Sequence, residues 1–278
     1  GNVLETHSDF ASRPLLLHGE RSQDAFHGTC TTGLVFGDGA GRAQARGLLP
    51  RGQGIFASYH HITDRYQHTR ELLAEPYNAV FQSNSWGSAL TTAYTNDSAE
   101  LDRIAFDLDI LILNSQSNTG TQQSRPQAWS KNVLSIGGWR HNGTLSTNDD
   151  GWNRTGSIGP AADGRIKPDL SHFWDLTLAP SNNGGYTEDF GGTSGATPIT
   201  AGYAGLFFQM WSDGVFGDPG PGNTVFERRP HATTAKAVLI NTAMQHRFSG
   251  QNHDMSRFHQ GWGMVDIKRA ADQADTML

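Results

Sequence analysis

Ser194 lies in the run Gly191-Gly192-Thr193-Ser194-Gly195-Ala196-Thr197-Pro198, at the start of a long apolar stretch. At a helix start the backbone N–H groups lack intrahelical partners and the dipole is positive. An alkoxide, or the oxyanion it creates, is favoured there. Taken alone, Ser194 or Thr193 reads better as an ordinary N-cap. Gly195 and Ala196 are small enough to let a substrate backbone come close. Serine is a weak nucleophile at neutral pH and needs a base, usually histidine. His27, in His27-Gly28-Thr29-Cys30-Thr31-Thr32-Gly33, is one of 12 histidines and by itself reads as a surface or satisfied core residue. Asn118, in Asn114-Ser115-Gln116-Ser117-Asn118-Thr119-Gly120, by itself reads as a turn residue. A side-chain amide after a buried strand can also donate to a developing oxyanion, and losing one such donor costs about 10²–10³ in kcat.

These residues need elements to hold them. Residues 54–59 read as a strand after the turn Leu49-Pro50-Arg51-Gly52. Residues 64–74 read as a helix and 79–85 as a second strand. Residues 98–106 read as a helix capped by Ser98. Ile110-Leu111-Ile112-Leu113 is a continuous apolar run, as expected of a strand buried on both faces. Residues 132–136 give another strand. Residues 194–211 read as a long helix, nearly apolar all round and therefore central. Residues 231–244 give a further helix. The alternation predicts an α/β fold with a mostly parallel sheet and helices on both faces. The Gly/Asn/Ser-rich stretches 181–185 and 213–223 read as surface loops.

The chain has 278 residues, enough to bury a sizeable core as one large domain or two small ones. Its net charge is -6, and no run of Lys or Arg suggests nucleic acid or an anionic membrane as partner. No apolar run approaches the ~20 residues of a membrane helix. The single cysteine, Cys30, excludes an internal disulfide framework and any CxxC metal or redox site.

Together the three segments are far more specific than any one. The chain resembles the subtilisin-like serine peptidases, the subtilase family. His27-Gly28-Thr29 resembles the family's histidine motif, and Gly192 to Pro198 its nucleophile motif, continued by Gly202. Ser117-Asn118-Thr119-Gly120 stands where the family carries its oxyanion-hole asparagine. Asn84-Ser85-Trp86-Gly87 resembles the segment lining the substrate groove, so Ser85, Trp86 and Gly87 are candidate substrate-binding residues. A tryptophan there would narrow or cover the pocket for the residue before the cleaved bond, or would be an ordinary packed aromatic. Residues 45–50 with 57–59, Pro126 with 131–137, 157–160 with 163–170, and 261–266 continue the match, so the resemblance covers nearly the whole chain.

The resemblance implies a three-layer subtilisin-like sandwich and a serine endopeptidase with Ser194 as nucleophile, His27 as general base and acid, and Asn118 in the oxyanion hole. Peptide or protein substrates would bind as an added extended strand. It further implies no cofactor for the chemistry, a monomer, secretion, and a propeptide ahead of the domain. Calcium often stabilises the family, but scattered acids such as Asp149, Asp150 and Asp189 make no EF-hand-like loop, and no ligand follows from spacing.

The departures are specific. The family's third triad member is an aspartate in an Asp-x-Gly turn ending an early strand. Thr6-His7-Ser8-Asp9-Phe10 resembles the stretch after that turn, with Gly1 as the turn glycine. The aspartate and its strand are therefore expected ahead of Gly1, which would leave a gap in the sheet. Glu5 and Asp9 are the nearby acids that could substitute. Loss of that carboxylate in a subtilisin costs about four orders of magnitude in kcat. Cys30, near the catalytic histidine, is expected to be buried and inert. Ser171-His172-Phe173-Trp174-Asp175 replaces the usual Ala-Pro-Gly segment. The alternative is a pseudopeptidase, a subtilase fold kept as a binding module. An esterase is disfavoured because Gly192 to Ala196 is not a Gly-x-Ser-x-Gly elbow and His27 precedes Ser194.

Overall fold

The computed structural model describes residues 1–246 and 256–277. The strands along the chain are β1 (Leu16–His18), β2 (Ile55–Ala57), β3 (Phe81–Asn84), β4 (Leu111–Ser115), β5 (Leu134–Trp139), β6 (Leu170–Phe173), β7 (Thr177–Pro180) and β8 (Tyr186–Phe190). The helices are α1 (Phe26–Phe36), α2 (Arg65–Leu73), α3 (Asn96–Asp107), α4 (Thr193–Ser212), α5 (Ala232–Asn241), α6 (Arg257–Gln260), α7 (Ile267–Asp272) and α8 (Ala274–Met277).

β4 and β5 are buried along their whole length because helices cover both faces of the sheet. Strand side chains alternate between faces. Leu111 and Leu113 pack with Leu134, Ile136, Ala201 and Phe207, under α4 and α5. Ile110 and Ile112 pack on the opposite side with Leu101, Ile104 and Val133, under α3. The order β3-β4-β5-β6 is parallel throughout, with Leu113 opposite Leu134 and Asn84 opposite Asn114. The expected three-layer α/β sandwich is therefore present. Its parallel strands direct their carboxyl ends, where loops carry chemistry in open α/β sheets, toward one edge.

β1 and β2 form a separate parallel pair, Leu17 opposite Phe56. A cavity of about 950 Å³ lies between β2 and β3, lined by Phe56 and Ala57 on one side and Phe81 and Ser83 on the other. Phe208 of α4 and Leu101 of α3 also reach it. β2 pairs only with β1, and β3 only with β4 among the described residues. Each strand thus turns an unpaired edge toward the cavity among the described residues.

Several boundaries differ from the sequence expectations. α3 starts earlier, at Asn96, because Thr95 is its N-cap and Ser98 occupies the third helical position, accepting the Thr95 N–H at 3.1 Å. α5 stops at Asn241, and Met244 instead makes an antiparallel bridge with Met264. The antiparallel hairpin β7–β8 was not expected as strands, although the Gly-rich 181–185 stretch is its turn.

Candidate active site

His27 is the second residue of α1. Residues 1–4 run along that first turn: the Leu4 N–H donates to Thr29 Oγ1 at 2.8 Å. A side chain at Gly28 would meet the Asn2 carbonyl oxygen at 2.1 Å, so only glycine admits this close approach. The His27 ring meets the Phe190 ring edge-on, centroids 5.7 Å apart. Phe190 ends β8 and leads directly into the turn before Ser194. A Cβ on Gly195 would lie 3.7 Å from its Cδ1. Phe190 therefore lies against both His27 and the turn that carries Ser194.

Burial pushes the His27 pKa down, and Asp24 opposes it. Asp24 was not singled out from sequence, yet it is the carboxylate acting on His27 in this electrostatic balance. Its Oδ1 also accepts the Phe26 N–H at 3.1 Å, at the start of α1. An acid just ahead of a helix start was the available signal. Among the described residues, none hydrogen-bonds the His27 ring. Glu5 and Asp9 do not substitute. Glu5 is taken by Arg21. Asp9 lies at the far end of α1, 3.3 Å from a Cβ built on Gly37, while its Oδ1 accepts from Gly41 and from the Tyr186 hydroxyl. Ten residues of helix, about 15 Å, separate it from His27.

Ser194 is the second residue of α4, with Gly192 as N-cap at φ 76°. Its carbonyl accepts the Ser85 hydroxyl at 3.0 Å, which ties the expected groove segment to the nucleophile turn. Asn118 follows β4 and is exposed. Its Oδ1 accepts Thr193 N–H at 2.8 Å, Thr193 Oγ1–H at 2.9 Å and Trp174 Nε1–H at 3.2 Å. Those three donors fix the amide so that its NH₂ group is the free end. Nδ2 would lie 2.9 Å from a Cβ on Gly192, two residues before Ser194. The structure thus brings Asn118, Ser85 and Ser194 together, with His27 joined to them through Phe190.

Trp86 is packed: its ring stacks on Tyr59 at 5.6 Å and carries the Arg65 guanidinium at 4.0 Å. Gly87 lies against Arg125, whose Cβ would be 2.5 Å from an added Cβ. Cys30 is fully buried beside Leu34, Ala179 and Phe190, and burial pushes its thiol pKa up to about 12. In the unusual segment, Asp175 accepts the His141 backbone N–H at 2.8 Å and lies 3.0 Å from its Nδ1. Trp174 was also missed as a contributor to the site, because its partner is 56 residues away.

Comparison with known proteins bears on the fold and the family. A search of curated proteins finds no match. The chain is similar in structure to the prenylagaramide maturation protease PagA, with TM-score 0.74 and 20% identity, covering 99% of this chain and 91% of that one. Sphericase gives TM-score 0.68 and 16% identity over 95% of this chain and 88% of its own. The PatG macrocyclase in complex with peptide gives TM-score 0.64 and 15% identity over 90% and 68%. The pattern of the Peptidase S8 subtilase family matches residues 18–263. With the family pattern matched over most of the sequence, and the Ser194 turn, the Asn118 amide and the His27 helix carried on one parallel-sheet fold, this chain belongs to the subtilase family.

Proposed function

We propose that this chain is the catalytic domain of a serine endopeptidase acting on peptides or proteins. The observation that carries the reading is the orientation of Asn118: its carbonyl is held by Thr193 and Trp174, leaving its NH₂ group beside the Ser194 turn. In this reading His27 takes the proton as Ser194 Oγ attacks the peptide carbonyl, then delivers it to the leaving amine. Asn118 Nδ2 and the Ser194 N–H hold the tetrahedral oxyanion. Water repeats the cycle on the acyl-enzyme. Ser85, Trp86 and Gly87 border the groove where an extended substrate adds as a strand. The peptide bound to the PatG macrocyclase supports that substrate class. Secretion, a monomeric state and a propeptide belong to the same proposal.

The triad carboxylate is supplied, in this proposal, by an extended segment preceding Gly1. Two open parallel edges and the 950 Å³ cavity between them favour such a strand. Gly1 also lies at the His27 end of α1: a Cβ on it would be 3.1 Å from the Asp24 carbonyl oxygen and 4.0 Å from Gly28 N. The competing reading is a catalytically impaired binding module. It is favoured by one observation, that no carboxylate hydrogen-bonds His27 among the described residues.

The test is labelling with a fluorophosphonate, with and without the residues encoded ahead of Gly1, alongside hydrolysis of a peptide library. Labelling lost in Ser194→Ala, and peptide turnover restored by the preceding segment, is the expected result. No labelling and no turnover in the extended chain overturns the peptidase reading and leaves the binding module.

A further inference from the structure

Trp174 stands in a segment where the chain departs from its family, and it makes two polar contacts with the catalytic loops. Its backbone carbonyl accepts the Gly192 N–H at 2.6 Å, immediately before the nucleophile turn. Its indole Nε1–H donates to Asn118 Oδ1 at 3.2 Å. Three constraints fix the indole. The Trp174 N–H donates to the Trp139 carbonyl at 2.7 Å. The Arg140 guanidinium lies over the ring, 4.9 Å from its centroid. Gly138 closes the third side, since a Cβ there would come within 2.9 Å of Trp174 Cδ1.

The consequence for Asn118 follows from hydrogen-bond inventory. A side-chain amide has one acceptor oxygen and one donor nitrogen, and either end can face a site. Asn118 is exposed, so without anchors it would rotate freely. Thr193 supplies two donors from the α4 side and Trp174 a third from the segment just after β6, which is a different part of the fold. The contacts from two directions define the plane of the amide as well as the end that faces outward. Donors on the carbonyl oxygen also polarise the amide, which strengthens its N–H groups as donors. An oxyanion donor is effective only when it is aimed before the charge appears.

We propose that Trp174 is a positioning residue for the oxyanion hole: its indole N–H, together with the Thr193 donors, locks Asn118 with the NH₂ group toward the reacting carbonyl. The proposal rests on the peptidase reading for its kinetic consequence, but its structural half stands without it.

Trp174→Phe keeps the ring under Arg140 and removes the N–H. With a peptide substrate, kcat falls roughly tenfold, a share of the 10²–10³ lost with a whole oxyanion donor, while KM stays within about twofold. Asn118→Ala produces the full loss. The double variant Trp174→Phe/Asn118→Ala is no slower than Asn118→Ala alone, because Trp174 acts through Asn118. A further drop in the double variant, or a change confined to KM, overturns the proposal.

A second arm needs neither turnover nor a folded variant. With selective isotope labelling of the unmodified chain, the Trp174 indole N–H exchanges with solvent well below the free-indole rate, and the Asn118 side chain gives one ordered pair of amide protons. Where Trp174→Phe folds, that pair shifts or averages. Free-indole exchange in the unmodified chain, or an Asn118 signal unchanged in the variant, refutes the contact. If the unmodified enzyme fails to hydrolyse peptides or to label, the peptidase reading falls, and the spectroscopic arm still decides the role of Trp174.

Discussion

The Thr193 hydroxyl donates to Asn118 Oδ1 at 2.9 Å and accepts the Ser117 N–H at 3.2 Å, so one side chain joins α4 to two consecutive residues of the loop after β4. Ser117 has φ 102°, a region that L-residues rarely occupy and that costs of order 1–3 kcal/mol unless surroundings enforce it. The contact enforces it. Thr193→Val removes the hydroxyl at nearly constant shape. The expected result is a loss of about tenfold in kcat with little change in KM, and a stability loss of about 1–2 kcal/mol in denaturant unfolding. Wild-type kcat in Thr193→Val would show that the hydroxyl is dispensable.

His27 should titrate below the ordinary histidine value of 6.5 in this chain, because burial outweighs the pull of Asp24. In the proposed peptidase reading the neutral ring is the base, so labelling of Ser194 falls as pH drops through that lowered midpoint and is flat above it. Asp24→Asn removes the raising influence and moves the midpoint lower still. Ring-proton NMR against pH measures both values. A midpoint above 6.5 in the chain beginning at Gly1 would contradict the electrostatics described.

Acid should destabilise the fold through two buried histidines. His172 Nδ1 accepts the Phe173 N–H at 2.8 Å, so its proton is on Nε2, which is buried without a partner. Burial lowers its pKa to about 3. His68, 3.1 Å from His18 Nδ1, is lowered to about 4, first by burial and then by His18. Both folded values lie below the unfolded value of about 6.5. The unfolded chain therefore binds more protons as pH falls from 6.5, and stability drops by up to about 1.4 kcal/mol per pH unit per group. Their contribution is complete above pH 6.5 and is lost toward pH 4 for His68 and pH 3 for His172. Denaturant unfolding at pH 7.5 and pH 5 measures the slope, and His172→Phe should make it shallower. An equal slope in that variant would remove His172 from the account.

Cys30 should resist thiol reagents in the native state. It is wholly buried and its thiol is pushed up to about 12, so almost no thiolate exists at neutral pH. Mass spectrometry after treatment with a maleimide should find it unmodified until denaturant is added. Rapid native modification, with or without loss of function, would show that the α1–β8 packing opens.

The sequence reveals the parts of this molecule that obey local rules. β4 opens on a continuous apolar run and α4 is nearly apolar all round, and the sequence places both within two residues at either end. β1 is three half-buried residues, and β6 carries a buried histidine, so neither shows a strand pattern. β8 has exposed Glu188 and Asp189 side by side, because a register shift in the hairpin breaks the alternation that identifies strands. At the candidate site, His27, Asn118 and Ser194 are the residues that short motifs single out. Phe190, Asp24 and Trp174 are not among them, since their roles depend on contacts formed only once the chain has folded.

The divided sheet has a consequence for how the molecule opens. Val3, Phe10 and Leu15 form a small core of their own with Leu17 and Phe56, apart from the large core under α4. No ladder of backbone hydrogen bonds crosses from β2 to β3 among the described residues. The two parts are joined by side-chain contacts such as Tyr77 Oη–H to the Leu17 carbonyl at 3.3 Å and His18 to Glu71 at 3.0 Å. Cooperative units separate where such ladders are missing. Amide hydrogen exchange should therefore resolve a fast-opening β1–β2 unit and a slow β3–β6 unit. A strand seated between them would merge the two into a single cooperative block.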